Sequence, residues 1–235
     1  MDLEIRWIYR IGGIAAILQF TLTLIIIVVS SALGLKPSTA EEYFALYESN
    51  RIIGLLRDDF TSLFIIALYL FTFYSLYLAL KREKSIYVTF LTILVFVGVI
   101  CCFATHSGIS MIHLSDKYAS ATTEVQRSQL ISAGEAVIAS GMWNSTAGFI
   151  AGILLQGVGV LISIVMLNNK VFRKLTIFSG LLANGLDLIQ HLITPIFMPL
   201  GNIFLMIAGP FYLIWFLMLG LDLLRLSKMN SYERA

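Results

Sequence analysis

Apolar runs of about twenty residues, separated by polar breaks, dominate the chain. A helix rising 1.5 Å per residue needs roughly 20 mostly apolar residues to cross the hydrocarbon of a bilayer. Only helices and closed barrels satisfy their backbone polar groups there. Six runs qualify, at about Ile11–Leu33, Thr61–Leu80, Ile86–Thr105, Ala147–Leu167, Leu175–Ile193 and Asn202–Leu224. Barrel strands would alternate apolar and polar residues, and these runs do not. The pattern predicts an all-α fold, a bundle of six transmembrane helices forming a single domain over residues 1–235. The first run follows Arg6 and Arg10 like a signal peptide, but its apolar stretch is too long for one and reads as a retained span.

The breaks between runs carry their own pattern. After Pro37, Thr39-x-x-Glu42 has the form of a capping box, and Tyr43, Phe44 and Tyr47 then share one helical face. Thr123-x-x-Gln126 repeats the signal, with Leu130, Ile131, Val137 and Ile138 at helical spacing and Glu135 at the edge of that arc. Two amphipathic helices are therefore expected on the outer surface, the second docked over the external mouth of the bundle.

Composition sharpens the class. Hydrophobic residues make up 58% and charged residues 13% of the 235, with a mean hydropathy of +0.87. Soluble domains average about 25% charged, so an ordinary soluble globule and a disordered chain are both excluded. The net charge of +2 is too balanced for a nucleic-acid binder. The lipid bilayer is the expected partner, and a small-molecule or lipid ligand and an oligomer stay open. Cys101 and Cys102 are adjacent inside an apolar run and build neither a disulfide framework nor a C-x-x-C pair.

Basic residues orient the chain, because cytoplasmic loops retain Lys and Arg. Arg6, Arg10, Lys81, Arg82, Lys84, Lys170, Arg173, Lys174, Arg225, Lys228 and Arg234 fall on one side in short segments. Lys36, Arg51, Arg57, Lys117 and Arg127 are spread over the longer loops of the other. The expectation is a multi-pass protein of the cell membrane with both termini cytoplasmic.

Polar side chains at membrane depth cost roughly 2.5 to 3.5 kcal/mol on insertion scales, so each is a candidate for function. At 100° per residue, Gly180, Asn184, Asp187, His191 and Thr194 form one face of the fifth span, with Asp187 and His191 one turn apart. Cys102, His106, Ser110 and His113 form a similar stripe at the outer end of the third, and Asp58 and Asp59 stand at the entrance of the second. A structural hydrogen-bond network is the simplest reading. The same set also suits an outward-facing pocket that binds or transports a small polar solute or lipid. Alternatively His106, His113, His191 and Asp187 are zinc ligands of an intramembrane lipid hydrolase, or His106 and His191 are axial ligands of a haem. Zinc and haem are the cofactors these residue types admit, and no cofactor is the leading expectation. Whether the protein is an enzyme stays open, with the balance against.

At Tyr118-Ala119-x-Ala121-Thr122, Ser132-Ala133-Gly134-Glu135-Ala136 and Gly180-Leu181-Leu182-Ala183-Asn184-Gly185 the chain resembles a prokaryotic family of six-span membrane proteins, domain of unknown function 4386. The resemblance implies a bacterial or archaeal cytoplasmic-membrane protein and carries over no activity, cofactor or catalytic residue. A weaker similarity, in residue types alone, is to the alkaline ceramidase group, whose zinc is held by three histidines near an Asp and a Ser. His106, His113, His191, Asp187 and Ser110 supply those types, without that group's seventh span or its last-helix histidine pair.

Overall fold

The computed structural model describes residues 3–34, 36–57, 60–142 and 144–229, with the backbone alone over 82–85. Among these residues the chain is helical, with no strand. In chain order the helices are α1 (Leu3–Leu33), α2 (Ala40–Ser49), α3 (Arg51–Arg57), α4 (Phe60–Thr105), α5 (Gly108–Ala119), α6 (Glu124–Ala139), α7 (Thr146–Met166), α8 (Lys174–Ile193) and α9 (Met198–Lys228).

Two expected spans, at 61–80 and 86–105, are joined in one unbroken helical assignment, α4. A straight helix of 46 residues would be about 69 Å long. The rings of Phe60 and His106, at the two ends, nevertheless lie 6.1 Å apart. The segment doubles back and supplies two candidate spans, Phe60–Lys81 and a second beginning at Ile86. With α1, α7 and α9, that makes five stretches long and apolar enough to cross a membrane. Helix α8 forms where the fifth span was expected but is not among the five. The polar stripe along it explains the shortfall, since Asn184, Asp187, Gln190 and His191 lower its hydropathy.

The chain divides into two compact units by its internal packing. The first comprises Met1–Thr21, Ile65–Ile100 and Ile150–Ala235. Its helices approach closely at small residues, as helices do where lipid removes the hydrophobic drive between them. A Cβ on Gly13 would lie 3.0 Å from the Gly220 carbonyl oxygen, and one on Gly12 would lie 2.0 Å from Ser75 Oγ. Buried Gln19 adds a polar tie, donating to the Ile65 carbonyl and accepting from Thr72 Oγ1 at 3.0 Å. Large apolar side chains remain exposed around this unit, among them Ile86, Ile203 and Met206. A soluble monomer does not display such a surface, and a lipid-facing one does.

The second unit, Leu22–Phe64 and Cys101–Phe149, contains α2, α3, α5 and α6. Both capping boxes are present. Thr39 accepts from the Glu42 amide at 3.3 Å, and Thr123 from the Gln126 amide at 3.2 Å. The returning side chains reach one residue further out than expected, Glu42 to the Ser38 amide and Gln126 to that of Thr122. Tyr43, Phe44 and Tyr47 are buried with Ala40 and Met111, and Ile131, Val137 and Ile138 pack on this core. Gly134 lets α6 approach, since a Cβ there would lie 2.6 Å from that of Ala40. Beside it, Glu135 accepts from the Ala40 amide at 2.7 Å and so fastens the start of α2 to α6.

Candidate functional site

The polar face of α8 is real and turns inward. Gly180, Asn184 and Asp187 are buried, and His191 and Thr194 are half-buried. Helix α7 answers it with a face of small and polar residues spaced three or four apart, which brings them onto one side of the helix. A Cβ on Gly152 would lie 2.0 Å from the His191 ring, and one on Gly159 would lie 2.0 Å from Asn184 Oδ1. Opposite, a Cβ on Gly180 would lie 2.6 Å from both Ser163 Oγ and Trp215 Nε1. Each bulky polar group on one helix thus fills a place that the other leaves free by having glycine. The Gly148-x-x-x-Gly152 spacing is used inside the protein, Gly152 against His191 and Gly148 against the Met142 carbonyl.

Helix α9 completes the seam with Tyr212 and Trp215, one turn apart. The Tyr212 hydroxyl lies 2.5 Å from Gln156 Oε1, 2.9 Å from Asp187 Oδ2 and 3.5 Å from Asn184 Oδ1. A phenol has one hydrogen, so it satisfies only one of these acceptors. Turning the Gln156 amide by 180° resolves the conflict, because its NH2 then donates to Tyr212 and Tyr212 donates to Asp187. Asn184 Nδ2 donates to the Gly180 carbonyl at 2.8 Å. His191 Nδ1 stands 3.2 Å from Asp187 Oδ1 and 3.0 Å from the Asp187 carbonyl oxygen, which bears out the expected pair. The ring geometry favours the carbonyl, and Asp187 Oδ1 is left buried without a hydrogen bond. Trp215 Nε1 is buried and unpartnered as well. The seam therefore holds an acceptor and a donor with capacity to spare, which native proteins normally assign to water or a ligand.

The other expected residues lie elsewhere. The stripe through Cys102, His106, Ser110 and His113 is not continuous, because α4 ends at Thr105 and His106 Nδ1 accepts from the Gly108 amide at 3.2 Å as α5 begins. That bond turns His106 to local use, with the Phe60 ring edge-on beside it. Ser110 and His113 are exposed on α5. Asp58 and Asp59 lie outside the described residues. Among the described residues no three His, Cys, Asp or Glu side chains group so that they could hold a metal ion. Of the proposed zinc ligands, Asp187 and His191 stand as a pair in the first unit, and His106 and His113 belong to the second.

Three participants escape sequence reasoning. Gln156 is visible as the lone amide in the run 147–167, and Tyr212 follows Gly209-Pro210 by two residues, but nothing in either run says that they meet Asp187. Trp215 reads as ordinary aromatic packing.

A second polar cluster lies at the other end of α8. Asp222, fully buried on α9, accepts from the Arg173 amide at 3.1 Å and from Thr176 Oγ1 at 2.6 Å. Its other oxygen faces Arg173 Nε at 3.2 Å and Arg225, one turn on along α9, at 3.6 Å. This carboxylate caps α8 from another helix, where free amides and the helix dipole favour negative charge.

Fold and seam define a class, a helical multi-pass membrane protein with a polar seam along one buried helix face. No family model, curated protein or solved structure matches the chain.

Proposed function

We propose that the protein is a six-span protein of the cell membrane, of prokaryotic type, with both termini cytoplasmic, and that the α7–α8–α9 seam binds a small polar solute or lipid headgroup, in passage or in place. One observation carries the binding reading: Asp187, 6% exposed, has one oxygen held by Tyr212 and the other without a hydrogen bond. Such an oxygen attracts a donor or cation, and the spare Trp215 N–H offers the seam an acceptor's partner. For topology, the first turns of α1 and the last turn of α9 line one common groove, which supports placing both chain ends at one membrane face. An even number of crossings goes with that placement, and α8 is the candidate for the sixth.

The binding test is a thermal-unfolding screen of the protein in nanodiscs against small amines, cations and polyols. A solute at about 100 times its Kd stabilises by about 2.7 kcal/mol, an effect expected in wild type and absent in Asp187→Asn. A screen in which no solute separates the two proteins overturns the reading. For topology, Lys117→Cys should label from outside intact cells and Lys228→Cys only after permeabilisation, and the reverse pattern overturns the orientation.

A further inference from the structure

Four polar side chains from three helices bring their oxygen atoms together in the seam. Around the Tyr212 hydroxyl of α9 stand Gln156 Oε1 of α7 at 2.5 Å, Asp187 Oδ2 of α8 at 2.9 Å and Asn184 Oδ1 of α8 at 3.5 Å. Asp187 Oδ1 adds a further oxygen, buried and without a hydrogen bond. Asn184 is fixed with its oxygen toward this set. Its Nδ2 donates to the Gly180 carbonyl at 2.8 Å, a bond that only the nitrogen can make, so Oδ1 points to the place that Gly159 leaves free. Gln156 can present either end of its amide, the NH2 to Tyr212 alone or the oxygen to a cation. Trp215 Nε1, the spare donor of the seam, belongs to the next turn, where a Cβ on Gly180 would meet it and Ser163 Oγ.

Oxygens gathered with too few hydrogens between them repel, and a cation among them reverses the sign. Charge and spacing narrow the kind of cation. Among the described residues the set holds one carboxylate, which balances one positive charge, and a divalent ion would leave a net charge buried. Around an octahedrally held ion, neighbouring oxygens stand √2 times the ion–oxygen distance apart. Separations of 2.9 and 3.5 Å thus correspond to contacts of about 2.1–2.5 Å, between those of magnesium and calcium. Sodium has nearly the radius of calcium and a single charge. Potassium, being larger, would have to spread the oxygens further.

We propose that the ligand of the seam is a sodium-sized monovalent cation, held by Asp187, Asn184, Gln156 and Tyr212. The proposal rests on the binding role given to the seam above and names its ligand. The test is binding of radiolabelled sodium to the full-length protein in nanodiscs at pH 8, with choline keeping the ionic strength constant and potassium, calcium and methylammonium as competitors. Wild type should bind sodium saturably, and each competitor should be at least tenfold weaker than unlabelled sodium. Gln156→Ala and Asn184→Ala should each weaken binding at least tenfold, the loss of one contact to a charged group, and Asp187→Asn should abolish it. Absence of saturable sodium binding in wild type overturns the cation assignment without recourse to any variant. An amine or polyol that still separates wild type from Asp187→Asn in thermal unfolding then leaves the seam itself as a binding site. Calcium or methylammonium competing better than sodium overturns the ion class. Undiminished sodium binding in an Asp187→Asn protein that unfolds at the wild-type temperature overturns the placement of the ion, whereas the seam reading falls only if no solute separates the two proteins.

Discussion

Helices α8 and α9 meet through two buried carboxylates whose surroundings differ in kind. Asp222 receives a backbone amide and a threonine hydroxyl on one oxygen and faces two guanidinium groups with the other. Asp187 has one phenol on one oxygen and, beside the other, an imidazole whose hydrogen bond is directed at a carbonyl. Neither second oxygen has an aligned hydrogen bond. At Asp222, however, two permanent positive charges compensate it, and at Asp187 only a ring that is charged when protonated. The first arrangement is what a protein builds to hold a helix end in place. The second leaves capacity, and it is on that difference that the proposed binding role of Asp187 rests. Burial alone does not separate structural from functional carboxylates, and the inventory of partners does.

The comparison breaks if the two sites respond alike. Asp222→Leu removes the cap of α8 and strands Thr176 and two arginines, so a loss of about 3–5 kcal/mol is expected in thermal or denaturant unfolding in detergent. Asp187→Leu removes a poorly compensated group and leaves Tyr212 its contact with Gln156, so its cost should stay near 1 kcal/mol while ligand binding disappears. Asp116→Leu, which breaks an exposed pair with Arg51, should cost less still and leave binding intact. A larger stability loss at Asp187 than at Asp222 would reverse their roles.

The fit of α7 to α8 is tested by two glycines two residues apart. Gly159→Ala forces a methyl against Asn184 and should cost about 1–3 kcal/mol. Gly157 has nothing within 4 Å of the position its Cβ would take, so Gly157→Ala should be neutral or stabilise by up to about 1 kcal/mol. Adding Asn184→Ala to Gly159→Ala should recover part of the loss. Equal effects of the two glycine substitutions would mean that α7 does not present this face to α8.

Periodicity makes the single-helix features legible. The face of Asn184, Asp187 and His191 follows from 100° per residue, and so does the buried row Tyr43, Phe44 and Tyr47, with each capping box placing its helix start. What stays hidden is set between helices. Thr176 and Asp222 are 46 residues apart, and Gln156 and Tyr212 are 56 apart, and no spacing rule links such positions. The break at His106 is hidden for a different reason. The apolar run ends at Thr105 as expected, but nothing in it says that the helix breaks there too, and a histidine that bonds a backbone amide two residues on looks in sequence like any other. Gly152 is a packing device, as its spacing suggests, but the His191 ring that fills its space cannot be named from its own helix.

The smallest expected effect lies in the second unit, where a carboxylate does at a helix start in solvent what Asp222 does in a buried one. The backbone amide of Ser38, and then its hydroxyl, bond Glu42 and hold its carboxyl below the usual carboxylate range. A carboxyl whose value is lower in the folded state supports that state above its unfolded value, and the support is lost as pH falls through the folded one. Glu42 is fully exposed, so water already competes for its bonds and the effect is confined to the first turn of α2. Hydrogen exchange at the Ser38 amide, compared between pH 6 and pH 3 after correction for intrinsic rates, should show protection falling with acid. Glu42→Gln should remove that dependence while Thr39 continues to cap the helix. Persistence of the acid response in Glu42→Gln would overturn its assignment to Glu42.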